Sequence, residues 1–114
     1  MEDFVSINIA KVLKEKGFNR PCVKHCINGQ IYISPYSNAY NYECKETVNI
    51  PTISQVFKWL REEKDYHVSI YYNGLYGYEV ICISNEAFGG AEETYDTYEE
   101  AAFDGIEYVL DNLI

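Results

Sequence analysis

Apolar residues recur at helical spacing in three stretches of this chain. In the first, about Phe4 to Lys16, Val5, Ile9, Val12 and Leu13 fall on one face, and Gly17 is a natural stop after the last turn. The second opens at Pro51-Thr52, with Gln55 three residues after Thr52 in a capping-box arrangement. Ile53, Val56, Phe57 and Leu60 form its apolar stripe, opposite Lys58, Arg61, Glu62 and Glu63. The third opens at Thr97, with Glu100 three residues on, and carries the stripe Ala102, Ile106, Val109, Leu110 and Leu113. Gly105 sits on the side of that stripe, where it lets the helix approach a neighbouring layer closely.

Between the helices the pattern changes to strands joined by Asn-Gly turns. Both central residues of a type I′ turn need positive φ, which Asn and Gly tolerate. Asn28-Gly29 joins Cys22–Ile27 to Gln30–Ser34, and Asn73-Gly74 joins His67–Tyr72 to Leu75–Ser84. A two-residue turn at Asn73-Gly74 places Glu79 in one row with Val68, Ile70, Tyr72, Leu75, Ile81 and Ile83. A carboxylate is costly on a buried face. Either Glu79 lies at the sheet edge, or the turn is longer and the register shifts. Residues 35–44 read as an excursion with a short strand at its end, and a short edge strand falls near Ala91–Tyr95.

The order is α-β-β-α-β-β-(β)-α. Hairpins imply antiparallel pairing, so the expected fold is α+β: a two-layer sandwich with about three helices on an antiparallel sheet of about four to five strands, in a single domain spanning 1–114. Ala10–Glu15 (AKVLKE) resembles Phe57–Glu62 (FKWLRE), and each precedes an Asn-Gly hairpin, as an internal duplication or a chance likeness of amphipathic helices would give.

At 114 residues the chain buries enough surface to fold without disulfides or metal. No apolar run approaches the ~20 residues of a membrane span. The start, Met1-Glu2-Asp3, is acidic, unlike a secretory leader. The expectation is a cytoplasmic protein without membrane contact, with Cys22, Cys26, Cys44 and Cys82 as reduced thiols.

Charge and tyrosine content sharpen the picture. The net charge is −9, unevenly placed: residues 1–64 carry nine basic and seven acidic side chains, whereas 65–114 carry eleven acidic ones and no Lys or Arg. Direct nucleic-acid binding needs a basic footprint and is not expected. Tyrosine occurs twelve times, against five Phe and one Trp. Tyr gives large contact area with little entropy to lose, which suits protein interfaces. The candidate interaction surface comprises Tyr36, Tyr40 and Tyr42 of the excursion, Tyr71, Tyr76 and Tyr78, which share a face on a two-residue turn, and the acids Glu99, Glu100, Asp104 and Glu107 of the third helix.

Other chemistry finds weaker support. Cys22 and Cys26 on one strand stand about 13 Å apart, too far for two thiolates on one zinc, and His25 points to the opposite face. A Cys–His pair could combine any of the four cysteines with His25 or His67, but neither histidine sits in a recognisable signature. There is no Gly-x-Ser-x-Gly and no phosphate-binding glycine loop. No catalytic, cofactor-binding or metal-binding residue is therefore assigned.

Three segments, AKVLKEKGFNRPC, IPTISQVFKWLRE and YDTYEEAAFDGIEYVLDNLI, together resemble small uncharacterised proteins of phages and integrated mobile elements of gut Bacteroidales. They cover somewhat under half of the chain. The resemblance implies a mobile-element protein of a bacterial cytoplasm and no particular activity. The expected function is that of a non-enzymatic accessory protein acting by protein–protein contact, with a protein partner or a second copy in a homodimer. Two alternatives stand beside it: an acidic decoy that binds a host DNA-binding protein, and a cryptic cysteine enzyme or metal-binding protein.

Overall fold

A computed structural model describes residues 3–33, 47–85 and 88–114. They form an α+β protein with three helices and two antiparallel sheets. The chain divides into two compact units, 1–53 and 54–114.

The first unit holds α1 (Ile7–Glu15), β1 (Lys24–Ile27), β2 (Gln30–Ile33) and β3 (Thr47–Ile50). Helix α1 starts later than its apolar pattern suggests. Ser6 caps it, its hydroxyl accepting from the Ile9 N–H at 3.2 Å, and Phe4 instead makes an isolated bridge with Thr52. The stop is as the sequence reads: Gly17 is left-handed at φ +94°, and the Phe18 N–H returns to the Leu13 carbonyl. Ile9, Ala10 and Leu13 are the buried face. The β1–β2 hairpin turns on Asn28 (φ 51°) and Gly29 (φ 82°), both left-handed, as a type I′ turn requires. Its sheet order is β2-β1-β3, antiparallel throughout.

The second unit is drawn from α2 (Ile53–Glu63), β4 (Tyr66–Tyr72), β5 (Tyr76–Cys82), β6 (Phe88–Tyr95) and α3 (Tyr98–Asn112). Its antiparallel sheet has the order β4-β5-β6. Helix α3 is capped by Thr97, whose hydroxyl accepts from the Glu100 N–H at 3.2 Å, and it buries Ala101, Ala102, Gly105, Ile106, Val109 and Leu110. Burying the three large aliphatic residues contributes about 1.5–3 kcal/mol each.

Among the described residues the strands differ from expectation in number and grouping: six in two sheets of three, not four to five in one. The extra strand is β3, just beyond the excursion, while residues 34–46 lie outside the described ones. The order α-β-β-β occurs twice, but the third strand adds beside the first in one unit and beside the second in the other. The likeness of AKVLKE to FKWLRE therefore belongs to helix and turn chemistry and does not extend to the sheets.

The second hairpin decides what faces α3. Tyr72 pairs with Tyr76, so the loop has three residues, Asn73 to Leu75, and of these only Gly74 is left-handed. Compared with a two-residue turn, β5 is shifted by one and every side chain changes face. Val68, Ile70, Tyr78 and Val80 then share one row, and Glu79 stands opposite Ser69 on the other face. Of the two ways to relieve the Glu79 conflict, the longer turn is the one found.

Candidate interaction surface

The register that buries Val68 and Val80 also gathers tyrosines at the tip of the second hairpin. Tyr72 and Tyr76 face each other across the strands with ring centroids 4.8 Å apart, and Tyr76 meets Tyr98, the first residue of α3, edge to face at 6.2 Å. Such pairs are worth about 0.5–1.5 kcal/mol beyond burial, which holds the rings in place before anything binds. Tyr72 is 65% exposed, and Tyr71, Leu75 and Tyr98 are exposed as well. Large apolar groups standing together in water mark a contact surface more often than scattered ones do.

The sequence-derived tyrosines separate. Tyr76 belongs to this cluster. Tyr78 is 5% exposed and sits beneath α3, its ring 6.3 Å from Tyr95 and 6.2 Å from Tyr108, so it is a core residue. Tyr71 points to the other face of the sheet, where its ring lies over Gly77 and occupies the space a Cβ there would need. The expected common face of Tyr71, Tyr76 and Tyr78 thus fails, because it rested on the two-residue turn. Tyr36, Tyr40 and Tyr42 lie outside the described residues. The sequence reading does not place Tyr72, Leu75 and Tyr98 in the surface; the three-residue loop is the signal for Tyr72, and the place just after the Thr97 cap the one for Tyr98.

Acids border the cluster. Asp96 and Glu100 are exposed and Glu99 is half-buried, all around the start of α3, where negative charge suits the helix N-terminus. Glu100, Asp104, Glu107 and Asp111 continue as an exposed row at three- and four-residue spacing, and no basic residue occupies the last turn. Partial desolvation, and then repulsion from Asp104 and Asp111, raise the Glu107 carboxyl above its ordinary range. A carboxyl that binds its proton more tightly when folded favours folding in acid and loses that contribution as pH rises through the folded pKa. Like charges one turn apart cost about 0.2–0.5 kcal/mol per pair, so Glu107→Gln is expected to raise the melting temperature by about 2–4 °C near neutrality. Below about pH 3.5, where the carboxyl is already protonated, the gain should vanish. Melts at both pH values check this; an equal gain at both would contradict it.

Cys44 lies outside the described residues, and the other cysteines and the histidines take separate places. Cys22 and Cys26 are buried, and burial pushes the Cys22 thiol up to about 12, which keeps it protonated. His25 and Cys26 are neighbours on β1 and so point to opposite faces. His25 Nδ1 lies 2.9 Å from Asn49 Oδ1, and Asn49 Nδ2 donates to the Arg20 carbonyl at 3.3 Å. The amide is thereby oriented with its oxygen toward the imidazole, so Nδ1 carries the proton. His67 and Cys82 also fall on opposite faces, since His67 pairs with Ile81 and Cys82 with Tyr66. The Cys82 thiol donates to the Asp65 carboxylate at 3.7 Å, beside a hollow of about 160 Å³ lined by Tyr66, Asn85 and Tyr108 among others. Asp65 itself fastens the start of β4 to the end of β5. Its φ is +67°, its carboxylate accepts from the Ser84 N–H at 3.1 Å, and its carbonyl accepts from Ile83. The hydrogen bonds from Ser84 hold its carboxyl below the usual range. Among the described residues no group of three or more His, Cys, Asp or Glu side chains is placed to hold a metal ion, and no helix is long and apolar enough to cross a membrane. Compared with known proteins, the chain matches no family model, no curated protein and no solved structure.

Proposed function

We propose that this is a non-enzymatic accessory protein that works by binding another protein through the aromatic cluster of Tyr72, Tyr76 and Tyr98. The observation that carries the reading is the exposure of Tyr72, Leu75 and Tyr98 around a set of rings already stacked against one another. Rigid, half-wet aromatics surrounded by polar groups are the usual anchors of protein interfaces. The acids beside them favour a partner with a basic surface, since complementary charge speeds encounter. The setting is the cytoplasm of a bacterium carrying a phage or integrated element. It rests on the resemblance of the three segments, and direct contact with nucleic acid or membrane is not part of it. A two-layer packing of helix on sheet within the second unit completes the proposal, supported by the close approach of α3 to Val68 and Tyr78.

A second reading, an acidic decoy for a host DNA-binding protein, is favoured by the row Glu100, Asp104, Glu107 and Asp111 and by the lack of Lys or Arg after Lys64. The two differ in which residues carry affinity. A photo-crosslinking amino acid at Tyr72 should capture one discrete partner in cells, and the same group at the exposed Glu63 should not. Adding Tyr98→Ser should abolish the product. Equal capture at both positions, or none at Tyr72, would overturn the aromatic reading.

A further inference from the structure

We propose that strand β2 is a self-association surface through which two copies of the chain pair edge to edge. The inference stands apart from the tyrosine cluster of the second unit. All four residues of β2 are exposed, with Ile31 at 44%, Tyr32 at 47% and Ile33 at 65%, and Ile27 of β1 is exposed beside them. Among the described residues the strand is at the edge of the β2-β1-β3 sheet. Edge strands ordinarily carry a charge, a proline or a bulge against pairing. Gln30-Ile31-Tyr32-Ile33 has no charge and no proline, and its register against β1 is unbroken.

The hairpin register fixes which backbone groups are offered. Ile27 and Gln30 flank a two-residue type I′ turn and are a hydrogen-bonded pair, so His25 and Tyr32 are the next one. The N–H and C=O groups of Gln30 and Tyr32 thus point inward to β1, and those of Ile31 and Ile33 point outward. A second β2, antiparallel about a two-fold axis at Tyr32, sets Ile31 against Ile33 of the other copy and Ile33 against its Ile31. All of the outward groups are then satisfied. Tyr32 meets its own copy at the non-hydrogen-bonded position, where side chains are closest. The Tyr32 hydroxyl donates to Gln30 Oε1 at 2.8 Å, which aligns the ring along the strand in advance. Four isoleucines gather on the opposite face.

Charge does not oppose a second copy at this edge, and the two-fold register is what suits one. The chain is at −9, so most faces of one copy repel another, but residues 22–33 contain no acid and only Lys24 as a fixed charge. Lys24 lies beside Ile33, at the ends of the joined strands, so the two-fold keeps the two lysines apart. A four-residue pairing is small, and a dissociation constant on the order of 10–100 µM is expected.

The test is sedimentation of the full chain over a concentration series up to roughly ten times that constant, with Ile31→Lys and Tyr32→Cys variants. Wild type should pass from monomer to dimer. Ile31→Lys should weaken the dimer at least about tenfold while leaving the melting temperature of dilute protein unchanged, since the side chain is exposed. On oxidation, Tyr32→Cys should cross-link into a covalent dimer much faster than Ile31→Cys, whose counterpart is Ile33. A monomer at every concentration, a dimer indifferent to Ile31→Lys, or equal cross-linking of the two cysteine variants would overturn the proposal. Changing Tyr72 and Tyr98 should leave dimerisation intact, which separates this result from the fate of the partner reading.

Discussion

Gly105→Leu is expected to lower the melting temperature by about 15 °C or more, a loss of at least about 3 kcal/mol. Propensity alone argues the reverse, because glycine inside a helix costs about 1 kcal/mol relative to alanine. The packing decides the sign. A Cβ on Gly105 would stand 3.2 Å from Tyr78 Cγ and Cδ1 and 3.2 Å from Val68 Cγ1. Those neighbours cannot withdraw easily: Val68 is 2% exposed, and Tyr78 is held between Tyr95 and Tyr108. Alanine should come out within about 1 kcal/mol of wild type, its propensity gain offset by the tight contact. Leucine brings three further carbons into the same space, and α3 must lift from β4 and β5. Thermal melts of the two variants check this; a melting temperature at or above wild type for leucine would show that α3 does not lie this close to the sheet.

That close approach was legible in the sequence, since Gly105 interrupts an apolar stripe that has every other helical feature. The N-cap at Thr97, the stop at Gly17 and the Asn28-Gly29 turn were equally readable, because each depends on local chemistry within three or four residues. Asn73-Gly74 misled for a physical reason. The same dipeptide can close a two-residue loop with both residues left-handed, or lie in a three-residue loop with only Gly74 so, and the choice falls to the packing of β5. Glu79 was the clue: a carboxylate in an apolar row signalled that the register had to shift. From that one shift follow the burial of Tyr78, the turning away of Tyr71 and the meeting of Tyr72, Tyr76 and Tyr98. The division into two sheets was not legible, because strand partners depend on contacts distant in sequence. Neither was the tie between His25 and Asn49, 24 residues apart.

That tie carries the second large effect. Asn49→Ala is expected to destabilise the protein by about 2–4 kcal/mol, on the order of 10–20 °C in melting temperature. Asn49 is fully buried, and its amide serves the His25 imidazole with one end and the Arg20 carbonyl with the other. Removing it takes a hydrogen bond from the buried imidazole and one from the Arg20 carbonyl, which also accepts from the Cys22 thiol at 3.5 Å, and leaves a cavity. Asn49→Asp keeps an acceptor for His25 and nearly the same volume while losing the donor to Arg20, so it should be the milder variant near neutral pH. If alanine and aspartate prove equally costly, the contact with His25 contributes nothing beyond packing.

The aromatic cluster of Tyr72, Tyr76 and Tyr98 is the proposed seat of partner binding. Its most direct test is the affinity of the partner captured at Tyr72, measured for wild type, for Tyr72→Ser with Tyr98→Ser, and for Glu100→Gln with Asp104→Asn and Glu107→Gln. Interface anchors typically cost 2 kcal/mol or more when truncated, so the tyrosine variant should lose at least about 30-fold in affinity at any salt concentration. The acid variant should change affinity by less than about fivefold, mainly through a slower, less salt-sensitive association. Tyrosine variants that bind as wild type, with the loss confined to the acid variant, would contradict the account and leave the charge-based decoy in its place.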